Sequence, residues 1–318
     1  MVALLLAGCS QDETSYEKDR ISVGIMLSDN GLGDQSFSDT GFQGALKARD
    51  ELGITFNYKE IAETKTYEQG FEELVTENHD LIIGLGFNIL EDLEKVAKKH
   101  PEQQYILIDS SSEIKNITNI NFKEEEGSYL IGMIAGMNTK SNKVGFIGGF
   151  DTPLINKFAA GFQQGVKAVN PKAKVYIEYA NDFGNEKKGA EIAGKFIKKG
   201  VDYIYPAAGL TGSGALKEAE KKGVYSFGVD SDQYYVAEKS VVSSMIKNVD
   251  VAIYEAVKTY RKENKLEKNI TLGLNDNGVD TSAIRLISSD KITEKLEETK
   301  KQIVNGEITV NAELKEGK

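Results

Sequence analysis

Short, almost wholly apolar runs recur along this chain, and most are followed by a segment with helical spacing. Ile21 to Leu27 reads as a strand and Ser36 to Leu52 as a helix, with Phe42, Ala45, Leu46 and Arg49 on helical spacing. Thr55–Tyr58, Leu81–Gly84 and Tyr105–Ile108 read as strands, separated by helices at Tyr67–Glu77 and Ile89–Lys99. Continuous apolar runs of this length belong to strands buried on both faces, hence to a parallel sheet covered by helices. The pattern then restarts. Helices at Glu124–Met137, Ile155–Val169, Lys187–Lys199 and Ser213–Lys222 alternate with strands at Val144–Ile147, Lys174–Tyr179, Tyr203–Tyr205 and Tyr225–Gly228. Val241–Ile246, a helix at Val249–Tyr260 and a last amphipathic helix at Ile292–Ile303 follow. The fold class is α/β, with two doubly wound lobes joined by three crossovers, expected near Phe122, Val242 and Gly278. The expected division is 1–20 as signal and tether, 21–122 plus 243–278 as lobe 1, and 123–242 plus 279–318 as lobe 2. Loops leaving the carboxyl ends of the strands form the ligand crevice in such folds. Two facing lobes make a cleft that closes by hinge motion.

Composition removes several functions. With 39 Lys and Arg against 49 Asp and Glu, the net charge is −10, and nucleic acid is not an expected partner. Lys98-Lys99 and Lys300-Lys301 have Glu nearby and read as solvated helix faces. The single cysteine, Cys9, can form neither an internal disulfide nor a cysteine zinc site. His79 and His100 are the only histidines, one before a strand and one ending a helix, so neither is expected in the cleft. We therefore expect no catalytic residues, no metal and no cofactor. Val2 to Gly8 is apolar, and Leu6-Ala7-Gly8-Cys9 resembles the lipobox of bacterial lipoproteins, in which the cysteine carries the lipid. Acyl chains contribute about 0.8 kcal/mol per buried CH₂, so two or more anchor a domain durably. Ser10 to Arg20 is polar and aperiodic, as a tether should be. No other run approaches the ~20 apolar residues of a membrane span. The expected location is thus the outer face of the cell membrane, lipid-anchored through Cys9.

The polar chemistry sits at strand ends. The first expected strand runs into Ser28-Asp29-Asn30-Gly31-Leu32-Gly33-Asp34-Gln35-Ser36-Phe37, where Ser36 is placed to cap the next helix and Asp29 and Asp34 to face the cleft. The loop is acidic and lacks a Gly-x-x-x-x-Gly-Lys pattern, which argues against phosphate. Asp109 directly follows Tyr105–Ile108, and a carboxylate there suits vicinal hydroxyls. Phe183, Gly209 to Gly212, Asp230-Ser231-Asp232 and Lys247 follow strands of the second half.

Five stretches make this chain similar to the basic membrane lipoprotein family, whose best-defined members are purine nucleoside receptors. They are Asp34 to Phe37, Gly148 to Leu154, Gly161 to Val166, Ala207 to Gly209 and Gly228 to Gln233. The resemblance runs from about Ile21 to Lys301. It implies the type I periplasmic-binding-protein fold and service to an ABC importer, with permease and ATPase subunits as partners. By position, it implies that Phe37 and Phe183 sandwich a base, with Asp230 and Lys247 on the ribose. Asp109 would meet a polar edge or hydroxyl, and Asp29 and Asn30 the base edge. Ser36 and Gly209 fall inside the matched stretches and count as ligand-site candidates. Ser38 and Leu210 depart from the family's usual Asn and Gly, which leaves base preference open. A sugar or other small ligand, and a regulatory lipoprotein like the competence regulator of this family, remain alternatives.

Overall fold

The computed structural model describes residues 20–288 and 290–314. Cys9 and the expected lipid anchor lie outside them.

The first lobe is built on β1 (Ser22–Met26), β2 (Thr55–Lys59), β3 (Leu81–Leu85), β4 (Gln104–Ile108), β5 (Ile117–Phe122) and β11 (Asn269–Leu272). Their order is β11-β5-β4-β3-β1-β2, and every pairing is parallel. The helices between them are α1 (Phe37–Leu52), α2 (Ile61–Thr64), α3 (Tyr67–Thr76) and α4 (Leu90–Lys99), while α9 (Val249–Glu263) packs beside α1. The second lobe repeats the plan. It contains β6 (Lys143–Gly148), β7 (Lys174–Tyr179), β8 (Tyr203–Ala207), β9 (Tyr225–Asp230), β10 (Val241–Lys247) and β12 (Val279–Thr281), ordered β12-β10-β9-β8-β6-β7. Only β12 is antiparallel among these pairings. Its helices are α5 (Glu124–Asn138), α6 (Pro153–Val169), α7 (Glu186–Lys198), α8 (Gly209–Lys222) and α10 (Asp290–Val304).

Local chemistry sets the element ends. Thr66 and Thr152 cap α3 and α6 by accepting a backbone N–H, and Pro153 opens α6, where its missing N–H costs nothing. Gly53 and Gly223 end α1 and α8 in the left-handed conformation that glycine adopts most easily. The largest apolar cluster runs through both lobes, from Val23 and Ile106 to Phe146, Tyr205 and Phe227. Smaller clusters lie under α3–α4 and under α7–α8.

The structure corrects the reading in four places. The chain leaves the first sheet after Phe122 and returns only after Lys247, because β10 pairs with β9 along its length. A lobe boundary at 243 would cut this strand; residues 243–247 belong to the second sheet. Three strands went unread. β5 mixes Thr and Asn with Ile, and β11 and β12 are only four and three residues long. Helix α8 begins at Gly209, four residues earlier than expected, so Gly209 to Gly212 forms its first turn. Ser36 occupies the N-cap position of α1 but makes no capping bond.

Candidate functional site

The missing cap explains how the first loop is organised. Asp34, rather than Ser36, accepts the backbone N–H groups of Ser36 at 2.9 Å, Ser38 at 2.7 Å and Asp39 at 3.2 Å. Burial pushes its carboxyl up to about 6, against the pull of those donors. Asp34 is thus the structural anchor of the helix start. Asp34→Ala is expected to cost about 2 kcal/mol at neutral pH in urea unfolding. Because the folded pKa is raised, the native state holds this proton more tightly than the unfolded chain between its ordinary value and about 6. The gap between wild type and Asp34→Ala should therefore widen as pH falls through that window; a gap that narrows would contradict the assignment.

Freed from capping, the Ser36 hydroxyl crosses to the other lobe and donates to Asp230 Oδ2. Asp230 ends β9, and Asp109 follows β4. Both have positive φ, 65° and 67°, in the left-handed region that Asp tolerates better than most L residues. The two carboxylates, one per lobe, line the same cavity. Lys247, the last residue of β10, lines the same cavity with only 1% of its surface exposed. Its ammonium donates to both oxygens of Asp109 at 2.6 Å and lies 2.9 Å from Glu124 Oε1. It also lies within 4.9, 5.3 and 5.6 Å of the ring centres of Phe122, Phe37 and Phe158, a cation–π cage. Burial by itself would lower the Lys247 pKa, but Asp109, Glu124 and Asp230 outweigh it and hold the ammonium charged above the usual lysine range. Burial raises the Asp109 and Asp230 carboxyls, with Lys247 opposing.

All nine candidate positions, Asp29, Asn30, Ser36, Phe37, Asp109, Phe183, Gly209, Asp230 and Lys247, line this one cavity between the lobes. It holds about 100 Å³ of space open to water-sized molecules, well beyond the roughly 10–15 Å³ that a single water needs. Phe183 packs against Phe150 and edge-on to Phe87, with ring centres 5.2 and 6.3 Å away. Its ring occupies the space a side chain at Gly149 would need, since a Cβ there would lie 2.1 Å from it. Asp29, expected at the base edge, accepts one bond at each oxygen, from Tyr67 and Asn88, and its remaining lone pairs can still accept from a ligand. Asn88 and the apolar wall of Leu85, Ile155 and Val229 went unnoticed in the sequence, where they look like core or loop residues. Neither histidine lines the cavity. His79 bonds to Ser22 and Glu77, and His100 to Glu72. Among the described residues, no group of three or more His, Cys, Asp or Glu side chains could hold a metal ion. No helix among them is long and apolar enough to cross a membrane.

The lobes touch across the mouth of the cleft, where Gln233 Nε2 donates to the Gln35 carbonyl at 2.8 Å. Two lobes shut on a cavity with aromatic, carboxylate and ammonium walls define a solute-binding protein of the type I periplasmic arrangement. More specifically, the chain belongs to the family described as PnrA-like ABC transporter substrate-binding proteins, which residues 21–313 match. This is a family of solute-binding proteins and not of enzymes. The chain is 35% identical to a CD4+ T-cell-stimulating antigen of Listeria innocua, covering 97% of this chain and 94% of that one. It is 30% identical to the ABC transporter nucleoside-binding protein BmpA of Lactococcus lactis, over 96% and 94% of the two. A solute-binding protein of an ABC transporter system from Aeropyrum pernix superposes with a TM-score of 0.81 at 28% identity, covering 91% and 92%. A transcriptional activator of the comK gene from Bacillus halodurans superposes at 0.79 over 91% and 100%, but at 20% identity this likeness bears on the fold alone.

Proposed function

We propose that this chain captures a nucleoside, with a purine base favoured, outside the cytoplasmic membrane and passes it to an ABC permease and its ATPase. Cys9 holds it to the membrane by lipid. The observation that carries the reading is the combination, in one cavity, of aromatic rings from both lobes with a buried Asp109–Lys247–Asp230 set. Phe37 and Phe183 offer faces to a base. Stacking contributes roughly 0.5–1.5 kcal/mol per aromatic pair beyond burial. The carboxylates accept from ribose hydroxyls, and the remaining hydrogen-bonding capacity of Lys247 serves a ribose oxygen. Asn30 and Asn88 carry both donors and acceptors and suit a base edge, with Asp29 holding Asn88 in place. The related protein named as nucleoside-binding supports the same ligand class.

The test is calorimetric titration with purine nucleosides, pyrimidine nucleosides, free bases, ribose and several hexoses. Purine nucleosides should bind tightly, and bases and ribose far more weakly. Phe37→Ala and Phe183→Ala should each weaken nucleoside binding about tenfold, the equivalent of about 1.4 kcal/mol. Tight hexose binding would replace the nucleoside with a sugar. Silence across the panel would favour the regulatory alternative. Labelling of the full chain with radioactive palmitate, abolished by Cys9→Ser, tests the anchor.

A further inference from the structure

We infer that Glu124, which lies behind the cavity wall rather than in it, is a positioning residue for ligand recognition, holding Lys247 in place with its buried charge. The inference rests on the capture reading for its effect on affinity, and on geometry for the rest.

Glu124 opens α5 and is completely buried. Its two oxygens have different partners. Oε1 lies 2.9 Å from Lys247 Nζ, and Oε2 accepts from Lys157 Nζ at 3.1 Å. Lys157, on α6, also donates to the carbonyl of Phe122 at 3.0 Å. Charges therefore alternate along a chain from α6 through α5 and β10 to the end of β4: Lys157, Glu124, Lys247, Asp109. Its last link, Lys247 to Asp109, crosses between the lobes. The Glu124 contact to Lys247 is an ion pair without hydrogen-bond alignment, and Oε1 accepts no hydrogen bond. What Glu124 supplies there is charge, which in a buried site acts strongly. Asp109 holds the ammonium from one side and Glu124 from another, leaving its cavity side for a ligand. The other groups around this centre are Asp230, the Tyr205 hydroxyl bonded to Ser128, and Glu125 on the next position of α5.

The same helical turn reaches the remaining lobe connection. Glu126 pairs with Lys123 at 3.0 Å and accepts the backbone N–H of Leu274 at 2.9 Å, between β11 and β12. Lys247 itself ends at the second crossover. One turn of α5 thus touches all three connections between the lobes and the central cation of the cavity.

The experiment compares wild type, Glu124→Gln and Glu124→Asp. Glutamine keeps the shape and removes the charge, whereas aspartate keeps the charge and shortens the reach. Guanosine and inosine are titrated from about pH 5 to about pH 8. Glu124→Gln should weaken binding about tenfold or more near neutrality, and Glu124→Asp less. The Glu124 charge also helps raise the Asp109 and Asp230 carboxyls, so its removal lets both stay ionised to lower pH. The acid limb of binding should therefore move to lower pH in Glu124→Gln and stay in place in Glu124→Asp. A loss of affinity that merely tracks melting temperature, with no movement of the limb, would overturn the inference. If wild type binds neither nucleoside, the capture reading fails. The positioning claim is then decided on the ligand-free protein by nitrogen NMR of lysine ammonium groups. A slowly exchanging resonance, assigned by its loss in Lys247→Met, should exchange at least tenfold faster in Glu124→Gln. An unchanged exchange rate would overturn the claim whatever the ligand.

Discussion

Lys247→Met should be among the most damaging single changes in this protein, costing about 3–5 kcal/mol of stability near pH 8 and nearly all ligand affinity. The side chain length is kept, and the aromatic cage of Phe37, Phe122 and Phe158 can accept a thioether. What is lost is the cation among three buried carboxylates, Asp109, Asp230 and Glu124, of which only Glu124 retains another, Lys157. Removing one partner of a buried ion pair leaves the other desolvated and unpaired, which costs more than the pair contributed. The pH dependence distinguishes this mechanism from a packing defect. Burial already lifts the Asp109 and Asp230 carboxyls, and without Lys247 they rise further. With folded pKa values raised above the unfolded ones, the penalty is full above the folded values and is relieved as pH falls through them. Urea unfolding at about pH 5 and about pH 8 should thus show a much smaller deficit in acid. Equal deficits at both would point to packing, and a wild-type melting temperature at pH 8 would remove Lys247 from the centre of the site.

The strand-end residues were legible because a rule of topology sits behind them. A parallel strand is apolar to its end, so the first charged residue past it stands out. Asp109 after Tyr105–Ile108, Asp230 at the end of Tyr225–Asp230 and Lys247 at the end of Val241–Lys247 all follow that form. Phe37 and Phe183 stood out only as aromatic residues in strand-end loops; their role on the two faces of a base depended on the family resemblance. Other features were hidden for definite reasons. Ser36 and Asp34 are both good cap formers two residues apart, and the choice between them is made by Asp230, 194 positions from Ser36. Glu124 begins an acidic triplet at a helix start, where solvated carboxylates are commonly favoured by the helix dipole, so nothing in the sequence singles it out. Its burial follows from α6 and β10 closing over it, a tertiary event. Short or polar strands such as β11 and β5 lack the apolar run that marks the others, and their pairing is fixed by neighbours rather than by their own pattern.

Gly165→Ala should destabilise the protein by about 3 kcal/mol, while Gly194→Ala should stabilise it by up to about 1 kcal/mol. The two substitutions add the same methyl group to the interior of an α-helix, so local propensity favours both. Tertiary contact reverses the sign for one. A Cβ at Gly165 would lie 1.9 Å from the carbonyl oxygen of Tyr129 on α5, and one at Gly161 2.1 Å from that of Glu125. From the other side, a Cβ at Gly132 would meet the Phe162 carbonyl oxygen at 2.2 Å. These atoms are backbone and can yield only if the helices separate. At Gly194 the nearest atom is the end of the Glu218 side chain, 3.9 Å away. The consequence reaches the cleft. Helix α6 carries Lys157 and Phe158, and α5 carries Glu124, so the glycine-to-backbone contact sets the distance at which Lys157 meets Glu124 and Phe158 meets Lys247. Gly165→Ala is therefore expected to weaken nucleoside binding as well as stability, whereas Gly194→Ala, on α7, should leave affinity unchanged. Melting curves and titrations of the two variants side by side check both signs. If Gly165→Ala lowered stability yet bound as wild type does, helix spacing would not govern the position of the Lys247 charge.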